Sequence, residues 1–276
     1  MKIPPAVPAA GYRDSDLDRL CGPAAVTAAF EARPDAVLRM FYTTSRRREA
    51  GPLCAIMAKT HRPYREVTQE EIIKIAGTEH HGGIVAVAVP RDAPVLGKGP
   101  FPQALLGAPV LPMLDGIGNP HNLGAIARSA AFFGCTGMLI SNDPRQAGLS
   151  DAAYRIAEGG LEHLMLMAVE NPAVALRAMA PKFTTVAAVA GGGVAPEALP
   201  RGKPFLLVLG NEETGLPGLT VAACTHRVTL PGSGKMQSLN VSVAAAVLIH
   251  AMSQGAEAAA TGGAATLPPP GTLKLA

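Results

Sequence analysis

The second half of the chain alternates short apolar segments with stretches of helical composition, and this alternation constrains the fold of the 276 residues most. The segments are apolar almost throughout, which is typical of strands that are buried on both faces. Strands that alternate with helices favour a parallel sheet covered by helices on both sides. We therefore predict an α/β domain that ends in a helix over 239–252, with strands at 110–114, 137–140, 164–169, 185–190, 205–209 and 227–230.

The first third predicts a smaller α/β unit. A helix over 24–32 is followed by a strand over 37–42, and a second helix begins after Thr68, which forms a possible capping box with Glu71. A β-branched run at 84–89 predicts a further strand. The Pro- and Gly-rich segment after it has no steady period and is typical of a linker. We expect domains at 12–90 and 110–253, a linker at 91–109 and a disordered low-complexity tail at 254–276.

Composition and cysteine spacing narrow the class of protein. With 48% apolar residues the chain is expected to fold, and no apolar run reaches the roughly 18 residues of a membrane span. The first 16 residues lack the apolar stretch of a secretory signal, so we predict a cytoplasmic protein. The four cysteines form no C-x-x-C pair, which argues against a zinc knuckle or a disulfide framework.

The excess of positive charge lies at one end of the chain. The net charge is +3, and the first 100 residues hold 14 Lys and Arg against 11 Asp and Glu. Arg46, Arg47 and Arg48 form a local basic region of the kind that contacts phosphates. A solvated surface loop is the alternative. His80 and His81 are adjacent, so on an extended segment they point to opposite sides; we predict structural or RNA-contacting histidines and no metal site.

Two nucleotide-binding patterns are suggested by the glycines but fail. In the GSGK stretch at 232–235 the first glycine of a phosphate loop is replaced by Thr229, and Met236 follows the lysine where the loop requires Ser or Thr. The pair Gly116 and Gly118 would need a third glycine at His121 to match the dinucleotide fingerprint. We therefore predict neither type of loop.

Three segments instead share one character, at 114–134, 205–217 and 228–250. In each, an apolar strand ends in a loop rich in Gly, Asn, Pro or Ser, and a helix follows. Such loops meet at the carboxyl edge of an open α/β sheet, where ligands bind, so the three are expected to line one pocket. Their polar residues are Asn119, Asn122, Arg128, Asn211, Glu212, Ser238 and Asn240.

Arg128 is the most informative of these residues. It interrupts a helix whose neighbouring positions, 124–131, are otherwise small or apolar, apart from Ser129. Burying a guanidinium is costly unless it meets an anion, so we expect Arg128 to bind one. A structural ion pair with Glu212 is the alternative interpretation.

The three segments resemble the signature motifs of the SpoU/TrmH family of RNA ribose 2'-O-methyltransferases, which belong to the SPOUT class. N-x-x-N-x-G-x-x-x-R begins at Asn119, G-N-E-x-x-G-L-P at Gly210 and S-L-N-V-S-V at Ser238, in the family's order and spacing. The first domain resembles the family's substrate-binding module. TEHHGG at 78–83 and AEGGLEHL at 157–164 look closest to the YfiF-type tRNA/rRNA methyltransferases.

The resemblance implies a small α/β SpoU substrate-binding domain before a SPOUT domain with a parallel sheet and a trefoil knot. It also implies a homodimer that transfers a methyl group from S-adenosylmethionine to a ribose 2'-hydroxyl of tRNA or rRNA, without a metal. The implied catalytic residues are Arg128, Asn122, Glu212, Ser238 and Asn240, the cofactor residues Leu209, Gly210, Leu230, Leu239 and Ala190, and the RNA-binding residues Arg46, Arg47, Arg48, His81 and Asn119.

Two other functions fit the same fold. A catalytically silent RNA-binding protein would keep the fold and the basic module, but the presence of Arg128, Glu212, Ser238 and Asn240 argues against it. A small-molecule α/β enzyme would use the same sheet edge, but the basic N-terminal module makes that interpretation less attractive. The motifs do not separate rRNA from tRNA as substrate.

Overall fold

The computed structural model describes residues 12–97, 99 and 101–254, so most of the predicted tail lies outside the described residues. The N-terminal unit contains β1 (Asp18–Cys21), α1 (Pro23–Ala32), β2 (Val37–Tyr42), α2 (Arg47–Lys59), β3 (Tyr64–Glu66), α3 (Gln69–Ala76) and β4 (Ile84–Ala88). Its four strands lie in the order β1-β4-β2-β3. β4 runs antiparallel to both β1 and β2, whereas β3 runs parallel to β2.

Four elements of this unit lie where the sequence predicts them, namely α1, β2, α3 and β4. The capping box forms: the Thr68 hydroxyl accepts from the Glu71 N–H at 3.2 Å, and the Glu71 carboxylate accepts from the Thr68 N–H at 2.9 Å. The sequence pattern did not predict α2, because Gly51 and Pro52 in its interior are typical of a turn. Burial of Leu53 and of Met57, one turn later, stabilises that helix.

The C-terminal unit is the predicted α/β domain. Its elements are β5 (Val110–Asp115), α4 (Pro120–Phe132), β6 (Gly137–Ser141), α5 (Asp151–Ala157), β7 (Met165–Val169), α6 (Pro172–Met179), β8 (Thr184–Ala188), β9 (Phe205–Gly210), α7 (Gly218–Ala223), β10 (His226–Val228) and α8 (Val241–Ser253). The six strands lie in the order β10-β8-β9-β5-β6-β7 and all neighbours are parallel. The predicted parallel sheet is confirmed.

Helices cover both faces of this sheet. Successive strand residues point to opposite sides, so neighbouring residues of one strand enter different cores. Leu114 and Leu207 lie in a core with α4 and α8, whereas Met113 and Val208 lie in a second core with α6 and α7. This two-sided burial explains why the strands are apolar at nearly every position.

The two units dock through a buried ionic contact. The Arg33 guanidinium donates to both carboxylate oxygens of Glu162, with Nη2 to Oε1 at 2.8 Å and Nε to Oε2 at 3.0 Å. Arg91 donates to the backbone carbonyls of Leu161 and Leu164. Apolar side chains of both units belong to one core around this contact. The ionic groups therefore connect two units that also share buried apolar surface.

The segment predicted as an irregular linker packs against the C-terminal sheet. Val95 forms a parallel bridge with Ala168 of β7, and Leu105 is fully buried in a 3-10 turn. No helix among the described residues is long and apolar enough to cross a membrane.

Candidate active site

The order of the strands reverses between β5 and β9, and their carboxyl ends lie side by side, with Asp115 opposite Gly210. Open α/β sheets bind ligands at this type of position. The Asn211 amide donates to the Gly116 carbonyl at 2.8 Å and so ties together the loops that follow the two strands. A Cβ on Gly210 would lie 2.5 Å from the Leu216 N, so the close return of this loop requires glycine.

A hydrogen-bonded chain connects all three motif segments. The Asn122 amide donates to Glu212 Oε1 at 2.7 Å, and the Asn240 amide donates to Asn122 Oδ1 at 3.2 Å. Asn240 also caps α8, because its Oδ1 accepts from the Ser242 N–H at 2.9 Å. The three segments therefore lie together at one edge of the sheet, as predicted, and side-chain hydrogen bonds connect them directly.

Glu212 is held as a carboxylate at the start of α4. Burial alone would raise its pKa, but hydrogen bonds from the Asn122 amide and from the Gly118 and Asn119 N–H groups outweigh that effect and hold the pKa below its usual value. Anionic groups are favoured near a helix N-terminus, where N–H groups lack partners within the helix. The carboxylate therefore stabilises the loop that begins the helix.

The Arg128 side chain differs from what the sequence suggested in its exposure and in its partner. Its side chain is 57% exposed, and Nη2 lies 2.9 Å from Glu158 Oε2. The alternative of an ion pair with Glu212 is wrong. The guanidinium is exposed, and the anion that it meets is the Glu158 carboxylate. Arg128 follows Asn122 by six positions, about 240° around the helix, so it faces a different direction from the Asn122 contact.

The expected cofactor residues lie at the carboxyl ends of β8, β9 and β10: Leu209 and Gly210 end β9, Ala190 follows β8, and Leu230 and Leu239 lie between β10 and α8. Ser238 and every other residue from 231 to 240 is exposed, with Met236 at 80% and Leu239 at 54%. Within the described chain, no backbone group of residues 230–239 is hydrogen-bonded to another backbone group. Leu209 is buried and Ala190 is exposed. Apart from the Lys235 N–H, which donates to the Ser233 hydroxyl at 3.4 Å, the segment therefore offers backbone donors and acceptors beside apolar side chains, which fits a ligand with a heterocyclic base.

The expected RNA-binding residues differ in their exposure and in their contacts. Arg46 is paired with Glu49 at 2.8 Å and Arg47 with Glu66 at 2.8 Å, whereas Arg48 is exposed and the described residues give it no ion pair. Asn119 caps α4 by accepting from the His121 N–H at 2.9 Å.

His81 is the exception among these residues. It is 2% exposed, its Nδ1 accepts from the Gly83 N–H at 3.0 Å, and burial lowers its pKa. We correct the expectation that His81 contacts RNA, because its ring stabilises the turn before β4.

Two residues near the site were not singled out from the sequence. The Gln146 side-chain oxygen accepts from the Gly116 and Ile117 N–H groups at 3.1 and 3.0 Å, and so fixes the loop after β5 from the side of β6. Glu158 pairs with Arg128, as described above. The only signal for Glu158 was its place in the AEGGLEHL stretch, and Gln146 lies in a loop without a motif.

The chain is similar to known proteins over both units. Residues 109–250 match the SpoU rRNA Methylase family, and residues 19–94 match an RNA 2'-O ribose methyltransferase substrate-binding module. Among curated relatives, the chain is 34% identical over 236 residues to the uncharacterized tRNA/rRNA methyltransferase YfiF of Escherichia coli O157:H7, covering 84% of this chain and 66% of that protein. A Synechocystis relative, uncharacterized tRNA/rRNA methyltransferase slr0955, is covered over 48% of its length.

A third relative is matched over nearly its full length. The chain is 33% identical over 236 residues to the 23S rRNA (guanosine-2'-O-)-methyltransferase RlmB of Acinetobacter baylyi, covering 82% of this chain and 92% of that protein. The fold is similar to that of an AdoMet-bound rRNA methyltransferase from Sinorhizobium meliloti, with a TM-score of 0.71, 20% identity and 88% of each chain covered. The family match over residues 109–250 and the similarity to the full-length relative show that the chain belongs to the SpoU methylase family.

Proposed function

We propose that the protein is an S-adenosylmethionine-dependent RNA methyltransferase that modifies a ribose 2'-hydroxyl. One observation carries the proposal: the Asn122, Glu212 and Asn240 side chains join the three family motifs at the switch point of the parallel sheet. We infer rRNA as the first substrate class to test, because RlmB, which is matched over 92% of its length, carries the name of a 23S rRNA methyltransferase. A tRNA is the second.

The cofactor would be held mainly by backbone. Gly210, Leu230 and Leu239 would supply peptide groups, with the Leu209 backbone and Ala190 at the wall of the cleft. The backbone of 230–239, which makes no bond to other backbone groups, supports this assignment, because adenine and ribose need hydrogen-bonding partners that apolar side chains do not provide. When bound, S-adenosylmethionine would supply an activated methyl group on a sulfonium sulfur.

Arg128 would act on the RNA. A guanidinium keeps its protons at neutral pH, so we assign it no role as a general base. It would instead bind a phosphate and the ribose oxygen, orient the 2'-hydroxyl and stabilise the negative charge that develops on that oxygen as its proton passes to an RNA phosphate. Asn122 and Glu212 would hold the first turn of α4, and Ser238 and Asn240 would shape the substrate side of the cleft.

The N-terminal unit would bind the rest of the RNA, with Arg46, Arg47 and Arg48 as the proposed contacts. Asn119, which caps α4 in the C-terminal unit, would add a contact beside the candidate site. The aromatic content is 4% with no Trp, which favours recognition through phosphates, 2'-hydroxyls and shape over extensive base stacking. Such binding weakens with salt, because it releases counterions from the RNA.

We also propose a homodimer that packs through α8, with the knot that the family implies. Val243 and Val247 are exposed large apolar residues on that helix, and Met236 and Leu239 extend the apolar surface into the loop before it. Exposed apolar surface of this kind, next to a loop without internal backbone bonds, fits burial by a second copy.

Transfer of labelled methyl from S-adenosylmethionine to RNA that lacks this modification tests the function. Wild type should label a single ribose 2'-oxygen, and Arg128→Ala should lower turnover by about 100-fold or more while cofactor binding stays within about twofold. Arg177→Ala, at an exposed helical position on the other side of the sheet, is the matched control. Substantial activity of Arg128→Ala would overturn its role. Absence of both labelling and cofactor binding in wild type would instead favour the silent RNA-binding protein.

A further inference from the structure

Glu158 lies in an unusual backbone conformation beside Arg128. Its φ is 44°, and the other non-glycine residue with positive φ in the described chain is His61. A residue with a side chain is disfavoured in this left-handed region. Gly159 and Gly160, which are suited to a sharp turn, follow immediately. The strain is accompanied by one evident contact, the 2.9 Å ion pair between the Glu158 carboxylate and the Arg128 guanidinium.

The backbone around Glu158 is fixed on both sides. A Cβ on Gly160 would lie 2.8 Å from the Arg128 Cα, so this segment lies directly against α4 at the arginine. A Cβ on Gly159 would lie 2.8 Å from the Ala28 Cβ of α1, in the N-terminal unit. The carboxylate is therefore presented to Arg128 from a turn that is packed between the two units.

Resting on the proposed function, we propose that Glu158 is a positioning residue for Arg128, which holds one end of the guanidinium so that the other donors face the RNA. Arginine has five N–H donors in a planar fork, and Glu158 occupies the Nη2 end. The described residues provide no other ion pair to the Arg128 side chain. Without the carboxylate, a long exposed side chain would sample several rotamers and orient the ribose less often.

The Glu158 carboxylate also opposes RNA binding electrostatically. Glu158 places a negative charge next to the group that is to receive a phosphate, and like charges repel. With both side chains more than half exposed, the attraction between them is weak and an RNA phosphate can share the guanidinium. The positioning role therefore predicts two opposite effects of losing the carboxylate. Turnover should slow, and RNA binding should strengthen.

The kinetic test compares Glu158→Ala and Glu158→Gln with wild type. Glu158→Ala should lower kcat by about tenfold, because the arginine is no longer oriented. It should tighten RNA binding by about two- to fivefold, the range for an exposed charge pair. Glu158→Gln should keep more of kcat than Glu158→Ala, since its amide oxygen can accept a hydrogen bond from the guanidinium, while binding tightens in the same way. A structural lesion would weaken both properties and would not be rescued by glutamine.

The binding test uses 23S rRNA made by transcription and does not depend on turnover. Glu158→Ala should tighten the Kd in the wild-type background. It should change the Kd less than about twofold in an Arg128→Ala background, because without the guanidinium no phosphate is held beside Glu158. Asp35→Ala, which removes an exposed carboxylate that is paired with Arg62 at 3.0 Å, is the matched control and should leave both kcat and Kd unchanged.

The outcomes separate this inference from the proposed function. An equal effect of Glu158→Ala with and without Arg128, or a kcat that changes less than about twofold, would overturn the positioning role. If wild type transfers no methyl group to any RNA, the proposed function fails and with it the catalytic part of this inference. The coupling in RNA binding would still report whether Glu158 acts through Arg128.

Discussion

The side-chain amide of Asn122 donates to Glu212 Oε1 at 2.7 Å, and this bond joins the first turn of α4 to the loop after β9, 90 residues further along the chain. Asn122 also accepts from Asn240 at the start of α8. One buried amide therefore contacts both of the other motif segments. The protein's own side chains therefore connect the loops of the candidate site.

Asn122→Ala should destabilise the fold and impair the site. It removes a donor from the Glu212 carboxylate and an acceptor from Asn240, and loss of a hydrogen bond to a partly buried charged group costs about 1–3 kcal/mol. Urea unfolding should show this loss, and methyl transfer should fall by about tenfold or more. The control is Asn142→Ala at an exposed loop position. Equal stability of the two variants would contradict the structural importance of the bond.

Gly210→Ala should lower the affinity for S-adenosylmethionine. The new Cβ would lie 2.5 Å from the Leu216 N, so the loop after β9 has to move. We expect about a tenfold weaker Kd by calorimetry, because a displaced loop no longer presents its peptide groups in the same place. Gly148→Ala, where a Cβ would meet no atom within 4 Å, should bind the cofactor as wild type does. Unchanged affinity of Gly210→Ala would remove this loop from the cofactor site.

Asp18→Asn should change how stability depends on pH. Burial raises the pKa of the Asp18 carboxyl to about 6 despite the nearby Arg33, above the roughly 3.9 of an unfolded chain. Between those values the folded protein holds a proton that the unfolded chain has lost. The contribution of this group to stability is therefore present below about pH 4 and lost as the pH rises through 6.

The asparagine variant lacks this titration. Its free energy of unfolding relative to wild type should rise between about pH 4 and 7, by at most about 3 kcal/mol. Denaturant unfolding at several pH values measures the difference. A difference that is constant with pH would show that Asp18 titrates normally in the folded protein.

Val247→Glu should prevent the proposed self-association. Val247 is exposed on α8, and burial of a carboxylate without a partner at an apolar interface is unfavourable. Light scattering after gel filtration should show dimers for wild type and monomers for the variant. Val174→Glu, at an exposed position of α6, should remain dimeric. Dimers of Val247→Glu would place the interface elsewhere.

The sequence by itself determined the features that depend on neighbouring residues. The apolar runs predicted the buried parallel strands, and Thr68 with Glu71 predicted the start of α3, because capping and strand burial leave local patterns. Motif spacing brought Asn122, Glu212 and Asn240 to one sheet edge, since the carboxyl ends of parallel strands meet there. The elements that escaped prediction, β1, α2 and β3, are short or contain residues typical of turns.

Only the tertiary structure decided which groups pair. Arg128 meets Glu158 and not Glu212, because the helical rotation between Asn122 and Arg128 turns the guanidinium towards the segment after α5. Arg33 meets Glu162 across 129 positions, and a contact at that separation has no local signature. His81 is buried through the turn that its own ring stabilises. Partner choice depends on the direction and burial of each side chain, and only the packed fold sets these.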